Sequence, residues 1–260
     1  MKTAFEQLEA TMAALRDKDS GCPWDLQQDH LSLIPYLLEE TYEVIDALES
    51  GDDEHLCEEL GDLLMQIIFH AQIAREEGRF SANDVAKGIN EKLIRRHPHV
   101  FGDSNYKTDA ELEQAWEQSK SEEKPKAGNQ SLLAGVIAAL PSLMRAQKLQ
   151  RRAARVGFDW PDHRGPLDKV SEETEEIREA LAQDQSKKAI SEEIGDLLFS
   201  VVNLARHLDI DAEEALRQSN QKFTHRFQYI EQQLEARNKS IEDCSTETLE
   251  GLWIEAKNRE

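Results

Sequence analysis

The feature that most constrains the fold of this chain is an internal duplication. Four landmarks recur in the same order, and each lies 130 to 136 residues from its counterpart. They are EETYEVIDAL at 39 and EETEEIREAL at 172, EELGDLL at 58 and EEIGDLL at 192, GCPW at 21 and GFDW at 157, and N-x-K-x-x-x-R at 90 and 220. A nearly constant offset over the whole chain predicts two copies of one structural unit.

Hydrophobic periodicity predicts that both copies are helical. Apolar residues recur at helical spacing, whereas no segment alternates as a strand would. The predicted helices cover 3–16, 31–49, 53–77, 83–96, 109–124, 131–155, 166–184, 187–208, 211–237 and 246–258. The segment KPKAGNQS at 124–131 has the composition of a linker. We therefore expect an all-α protein with tandem helical domains at 1–125 and 126–260.

Composition narrows the classes of function. The chain is 39% hydrophobic and 32% charged, with a net charge of −21. Such a charge disfavours nonspecific binding to nucleic acid or to an anionic membrane. The first residues lack the apolar core of a signal peptide, and no run reaches the roughly 18 apolar residues of a membrane span. The three cysteines form no CxxC pair, which favours free thiols. We expect a cytoplasmic location.

The acidic residues of the second copy have the spacing of a metal site. Glu173 and Glu176 are three residues apart on one predicted helix, and Glu193 and Asp196 are three apart on the next. Residues at this spacing share a helix face. Four carboxylates on neighbouring helices suit a hard divalent cation such as Mg²⁺, which also takes phosphate oxygens. The alternative for any single pair is a solvated helix face, but here apolar residues flank both pairs and the arrangement occurs twice.

Other metals fit the sequence less well. A di-iron site would need Glu-x-x-His on two helices, but Glu176 is followed at that spacing by Glu179, and Glu193 by Asp196. No cysteine or histidine joins the acidic set, which disfavours zinc. The HPH run at 97–99 lacks further ligands nearby, and its proline predicts the end of a helix.

The combination of E-E-x-x-E, E-x-x-D and a downstream K-x-x-x-R resembles the MazG family of nucleoside triphosphate pyrophosphohydrolases. With tandem copies and the GCPWD and RRHPHVF runs, the resemblance covers nearly the whole chain. It implies an all-α enzyme that hydrolyses nucleoside triphosphates to monophosphate and pyrophosphate, with Mg²⁺ (or Mn²⁺ in its place), as a homodimer. The metal ligands implied are Glu173, Glu176, Glu193 and Asp196, with the first-copy equivalents Glu40, Glu43, Glu59 and Asp62.

Further roles are open at several positions. Glu172 and Glu192 flank the ligand pairs and are candidates to accept the proton of the attacking water, or to support the ligands from behind. Lys222 and Arg226 could face phosphate oxygens or be ordinary surface cations. Trp253 could stack on a base or belong to the core. Asn220 could bind metal or ribose, or lie on a helix surface.

The surrounding charge favours the second copy as the main catalytic site. Residues 1–125 carry 12 Lys and Arg against 28 Asp and Glu, whereas residues 126–260 carry 19 against 24. Lys169 precedes Glu173 by one turn where the first copy has Tyr36, and Lys188 lies in the inter-helix turn, where the first copy is acidic. A triphosphate is better accommodated by the second set. The alternatives are a regulatory protein that binds Mg²⁺ or nucleotide without turnover, and a helical scaffold.

Overall fold

The computed structural model describes residues 2–102, 108 and 131–259, and every regular element within them is helical. This confirms the predicted all-α class. The chain divides into two compact units, Met1–Lys126 and Ala127–Glu260, called here the N-terminal and the C-terminal unit. Among the described helices, none is both long enough and apolar enough to cross a membrane.

The N-terminal unit is built on one long antiparallel helix pair, α3 and α4, with α1 and α5 packed against α4. Its described helices are α1 (Ala4–Leu15), α2 (Pro23–Gln27), α3 (Ile34–Ser50), α4 (Asp53–Glu76), α5 (Ala82–Arg96) and α6 (Pro98–Phe101).

The C-terminal unit repeats this plan with α8 and α9 as its central pair, and α7 packs against α9 and α10. Its described helices are α7 (Ser142–Ala154), α8 (Arg164–Ala182), α9 (Lys187–His207), α10 (Ala212–Glu235) and α11 (Thr246–Lys257), with a 3₁₀ turn at Ile241–Asp243.

A short turn joins the two helices of each central pair, so the acidic residues of one helix lie beside those of the other. Gly51 ends α3 in the left-handed conformation, with φ of 68°, which glycine adopts without strain. Asp52 then caps α4 by accepting hydrogen bonds from the amides of Glu54 and His55. Ser186 caps α9 in the same way through the amide of Ala189. Each pair therefore reverses direction within a few residues.

Buried apolar side chains and a few polar ties hold each unit together. The N-terminal core contains Met12, Leu33, Ile68, Phe69, Ala71, Ile73 and Ala82, and the described C-terminal core cluster contains Ile230, Leu234 and Leu252. The buried Arg16 guanidinium pairs with Glu76 at 2.9 Å and donates to the Asp25 and Gln28 carbonyls, which joins α1, α2 and α4. Gln147 of α7 bonds both the carbonyl of Ile210 and the amide of Ala212.

Two histidines and an arginine form a directed hydrogen-bond chain in the N-terminal unit. His30 Nδ1 lies 2.8 Å from His70 Nδ1, and Arg79 Nη2 lies 2.5 Å from His30 Nε2. Because a guanidinium can only donate, His30 accepts at Nε2 and donates through Nδ1–H to His70. Burial, aided by the charge of His30, lowers the pKa of His70. The chain of bonds is thus complete only when both imidazoles are neutral.

The predicted helix boundaries are close to those observed, with one clear error. The helix predicted at 131–155 begins only at Ser142. Gly135 has φ of 84°, and Pro141 disfavours helical geometry at the residue before it, so the pattern of apolar residues at 131–140 does not propagate as a helix. The predicted helix at 109–124 lies outside the described residues, as does the predicted linker apart from Ser131. Helix α5 ends at Arg96, before Pro98, as the HPH run predicts.

Candidate metal centre

The central helix pair of the C-terminal unit brings three carboxylates together. Glu173 of α8 and Glu193 and Asp196 of α9 each offer an oxygen, and these oxygens all lie within 4.8 Å of one another. Glu193 and Asp196 share a face of α9 because they are three residues apart, and α8 packs along that face. We call these three residues the C-terminal cluster.

Glu173 is the buried member of the C-terminal cluster, with only 3% of its surface exposed. With the carboxylates ionised, its Oε2 atom is buried and accepts no hydrogen bond within the described part of the chain. A buried carboxylate oxygen without a donor is costly unless a cation compensates it. The all-oxygen donor set and this open oxygen fit Mg²⁺ or another hard divalent cation.

Lys169 supplies one positive charge to the C-terminal cluster. Its Nζ atom lies 2.6 Å from Glu173 Oε1 and 2.9 Å from Glu172 Oε1. Both carboxylates raise the pKa of Lys169 through these hydrogen bonds, and the bond with Glu173 has the larger effect. Lys169 and Glu172 were both predicted as site residues, but their direct link to each other and to the buried ligand was not foreseen.

The other predicted residues of this helix pair lie at the edge of the cluster. Glu176 is exposed, and its pKa is raised mainly by a shared hydrogen bond with Glu173, with burial and the Glu173 charge adding to it. Glu192 and Lys188 form an exposed pair on α9, with Nζ and Oε1 3.8 Å apart. Glu176 therefore lies beside Glu173, whereas Lys188 and Glu192 face solvent.

The N-terminal unit contains a cluster that corresponds only in part: Glu40 and Glu59 are equivalent to Glu173 and Glu193, but Glu43 takes part and the predicted Asp62 does not. Oxygens of Glu40, Glu43 and Glu59 lie within 4.8 Å of one another. The buried Gln66 of α4 donates its amide to Glu40 Oε1 at 3.4 Å, so Glu40 is contacted by a neutral group, whereas Glu173 is contacted by the Lys169 ammonium. Burial is the main cause that raises the pKa of Glu40, and the nearby charges of Asp62 and Glu43 act in the same direction. We call these three glutamates the N-terminal cluster.

The predicted substrate residues of α10 and α11 form a second group. The Arg226 guanidinium lies over the Trp253 ring, 5.4 Å from its centroid, and Phe223 lies 5.3 Å from the same ring. Trp253 is half-buried and also packs on the core cluster of Ile230, Leu234 and Leu252. Asn220 and Lys222 are exposed on α10.

A polar network that the sequence did not indicate fixes the GFDW loop. Asp159 accepts hydrogen bonds from Arg206 Nη1 and His207 Nε2, each at 2.9 Å, and Arg206 Nε donates to the buried Asn203. Hydrogen bonds from the two basic groups lower the pKa of Asp159, and the bond from Arg206 has the largest effect. The loop is thus anchored to α9, the helix that carries Glu193 and Asp196. The adjoining Trp160 indole lies against Gly165 at the start of α8, where a Cβ atom would overlap the ring.

Fold and site together define a class of all-α proteins in which each of two duplicated helix pairs carries a cluster of carboxylates. The family model for the MazG nucleotide pyrophosphohydrolase domain matches residues 28–101 and 162–230, which contain the N-terminal and the C-terminal cluster respectively. The chain belongs to this family, as its resemblance in sequence predicted.

Relatives of known name match over both units. The chain is similar to the nucleoside triphosphate pyrophosphohydrolase of Escherichia coli strain K12, with 47% identity over 260 residues that cover 98% of each chain. It is 45% identical over 256 residues to the nucleoside triphosphate pyrophosphohydrolase/pyrophosphatase MazG of Thermotoga maritima, which covers 97% of this chain and 95% of the other. The uncharacterized protein YabN of Bacillus subtilis is 44% identical over 98% of this chain and 52% of its own length.

Proposed function

We propose that this protein hydrolyses nucleoside triphosphates to nucleoside monophosphates and pyrophosphate, and that the C-terminal cluster is its main catalytic site. The observation that carries this proposal is the buried Glu173, whose Oε2 atom accepts no hydrogen bond from any described residue, while Glu193 and Asp196 approach from the next helix. Membership of the MazG family and the printed names of the E. coli and T. maritima relatives support the reaction.

The cluster would hold Mg²⁺, with Mn²⁺ as a substitute, through Glu173, Glu193 and Asp196, and Glu176 is close enough to Glu173 to join them. When bound, the ion would supply charge neutralisation for the triphosphate and orientation of the attacking water. The Asp159–Arg206 pair acts on the protein side, because it ties the loop before α8 to the helix that carries two of the ligands. The two helices are thereby kept in register.

Proton transfer is assigned to the glutamates that flank the ligands. Water adds its oxygen to phosphorus, the bond between the α- and β-phosphoryl groups breaks, and the proton of the water passes to a carboxylate. Glu172 is the stronger candidate because it shares the Lys169 ammonium with the ligand Glu173 and so lies beside the cluster, whereas Glu192 pairs with Lys188, which faces solvent. Lys169 and Lys188 would bind the anionic phosphates at the entrance.

The nucleoside is assigned to the group on α10 and α11. Trp253 offers an aromatic face, and Arg226, 5.4 Å from it, together with Lys222 one turn earlier, offers cations for phosphate oxygens. Asn220 on the same helix is placed for the ribose. Stacking on an aromatic ring is tolerant of the base, so we propose a broad base specificity.

Product analysis tests this function directly. The purified chain is incubated with Mg²⁺ and each of the common ribo- and deoxyribonucleoside triphosphates, and the products are separated by ion-exchange chromatography. Monophosphate and pyrophosphate in equal amounts are expected, and none in excess EDTA. Diphosphate with inorganic phosphate, or turnover undiminished by the chelator, would contradict the proposal, and nucleotide binding without any product would favour the regulatory alternative.

A homodimer is part of the proposal. Large apolar side chains are exposed on the central pair of the C-terminal unit, among them Leu181, Ile194, Leu198, Phe199 and Val201. Contiguous exposed apolar surface is typical of an interaction site. Sedimentation velocity at micromolar concentration should give about twice the 29.7 kDa of one chain, whereas a monomer would contradict this proposal. The cytoplasm, where nucleoside triphosphates are abundant, is the proposed location.

A further inference from the structure

Among the described residues, Lys169 is the cation that pairs with Glu173 and balances the charge of its carboxylate. The Lys169 side chain is 34% exposed, whereas that of Glu173 is 4% exposed. The ammonium bridges Glu173 and Glu172 at 2.6 and 2.9 Å. A buried carboxylate needs such a counter-ion, because an uncompensated charge in the interior is strongly unfavourable. Lys169 therefore supplies a positive charge to Glu173, as a bound metal ion would.

The corresponding position in the N-terminal unit has no positive charge. Tyr36 stands at the equivalent of Lys169, and Glu40 is contacted by the neutral amide of Gln66. The clusters also differ in membership, because Glu43 takes part in the first unit whereas Asp196 takes part in the second. In addition, Glu59 pairs with His55 Nε2 at 3.1 Å. The effect of Lys169 is therefore tested by substitution within the C-terminal cluster.

We propose that Lys169 is an exchangeable counter-ion that makes divalent cation binding at the C-terminal cluster dependent on nucleotide. In the absence of ligands its ammonium holds Glu173. A divalent cation bound at Glu173 Oε2 would be repelled by the ammonium held at Oε1, so entry of the ion favours the release of Lys169. The triphosphate gives the released ammonium a new anionic partner. The inference rests on the proposed function only in taking this cluster as the place where both ligands bind.

The exchange predicts a thermodynamic coupling between the two ligands. Bound nucleotide lowers the free energy needed to remove Lys169 from Glu173. Bound ion lowers, by the same amount, the free energy needed to bring Lys169 to the phosphates. The free protein would then bind a lone divalent cation weakly at this site and a cation with a triphosphate tightly. Without nucleotide, Lys169 would suppress ion binding, although the carboxylates that bind the ion already lie close together.

The test is a titration of the full-length protein with Mn²⁺, in which free Mn²⁺ is measured by electron paramagnetic resonance. Glu40→Gln and Glu59→Gln are introduced together to remove Mn²⁺ binding at the N-terminal cluster. Titrations are run without nucleotide and with saturating α,β-methylene-ATP, whose α–β linkage resists hydrolysis. In this background, nucleotide is expected to tighten Mn²⁺ binding at least about tenfold.

Lys169→Met removes the ammonium and keeps an unbranched apolar stem. We expect Mn²⁺ to bind at least about tenfold more tightly without nucleotide, and most of the gain from nucleotide to disappear. Lys169→Arg keeps the charge and should retain weak nucleotide-free binding. Unchanged or weaker Mn²⁺ binding by Lys169→Met, or equal tightening by Lys169→Arg, would overturn the inference. Far-ultraviolet circular dichroism checks the fold of each variant, and if Lys169→Met is unfolded, Lys169→Gln takes its place with the same expected results.

A matched control separates this effect from a general change in charge. Arg178 lies on the same helix and forms an exposed pair with Glu175 at 2.9 Å, with side chains 69% and 59% exposed. Arg178→Met removes one positive charge at a site screened by solvent, so nucleotide-free Mn²⁺ affinity should change by less than about threefold. Equal tightening in Arg178→Met and Lys169→Met would refute a specific role for Lys169. The titration does not depend on turnover, so absence of pyrophosphate release would refute the proposed function without deciding this test.

Discussion

Glu173 and Glu40 occupy equivalent positions in the two units, yet Glu173 is held by the Lys169 ammonium and Glu40 by the amide of Gln66. The first contact is charge-assisted at 2.6 Å, and the second is a weak neutral contact at 3.4 Å. The two carboxylate clusters thus differ in the charge beside these equivalent glutamates. This difference gives the two units distinct expected behaviour.

Removal of one ligand charge should distinguish the units in catalysis. Glu193→Gln keeps the shape of the side chain but removes a charged oxygen, and pyrophosphate release should fall at least about a hundredfold, as for the loss of a transition-state electrostatic contact. The matched Glu59→Gln should leave most activity, because the N-terminal cluster lacks a lysine at the position of Lys169. Initial rates at saturating Mg²⁺ measure both. Abolished turnover in Glu59→Gln with a tolerated Glu193→Gln would assign catalysis to the N-terminal unit.

Protonation of the histidine chain should destabilise the N-terminal unit in mild acid. The pKa of His70 is lowered in the folded state, so below about pH 6.5 the unfolded chain binds more protons. The free energy of unfolding should therefore fall as the pH decreases through 6.5 toward the folded-state pKa of His70. His70→Leu, which introduces the residue at the equivalent position 204, should flatten this dependence.

Urea unfolding between pH 5 and 8 measures the effect of His70. His163→Leu is the control, because His163 stands at the equivalent of His30 and is exposed on the C-terminal unit. It should leave the pH dependence as in the parent protein. A pH profile that is the same in His70→Leu as in the parent would show that the histidine chain does not contribute.

Loss of the clamp on the GFDW loop should destabilise the C-terminal unit. Arg206→Met leaves Asp159 without its bidentate partner at a site where the side chains are 11% and 25% exposed, and we expect a loss of about 1–3 kcal/mol. Arg164→Met removes a pair with Asp162 whose arginine is 79% exposed, so its cost should stay below about 1 kcal/mol. Chemical denaturation compares them. Equal losses would indicate that the Asp159 pair is no better than a surface pair.

Two helix glycines provide a steric test of the same region. Gly165→Ala should be destabilising because the new methyl group would overlap the Trp160 indole, a rigid ring that must move. Gly195→Ala meets no atom within 4 Å and lies inside α9, so it should be stabilising by up to about 1 kcal/mol. Thermal unfolding of each variant measures whether the substitution raises or lowers the stability of the protein. A stabilised Gly165→Ala would mean that the indole has room to turn away.

The helices and the acidic pairs could be predicted because both depend on local spacing. A period of 3.6 residues places Glu193 and Asp196 on one face of α9 whatever the rest of the chain does. The ion pair of Lys169 with Glu173 was missed although its i,i+4 spacing was a signal for it. Gln66, four residues after Asp62, offered a similar signal for a group beside the N-terminal cluster.

Other features of the structure depend on contacts that no local pattern encodes. Asp159 and Arg206 are 47 residues apart, so their bond follows only from the packed positions of the GFDW loop and α9. Helix α2 has five residues, too few for a hydrophobic period to be read. The predicted extension of α7 to residue 131 is wrong because Gly135 has a φ of 84° and Pro141 disfavours helical geometry at the residue before it.

The contact between Trp160 and Gly165 limits how the two copies could diverge. Ser32 stands at the position equivalent to Gly165, and in that unit the Trp24 indole lies edge-on to Tyr36 and Phe69, with centroids 5.5 and 6.4 Å away. Trp24 lies eight residues before Ser32, whereas Trp160 lies five residues before Gly165, so the two loops differ in length. In the shorter loop the indole lies on the start of α8, where a Cβ atom would overlap it. A change in loop length between the copies is therefore matched by the absence of a side chain at the start of the helix.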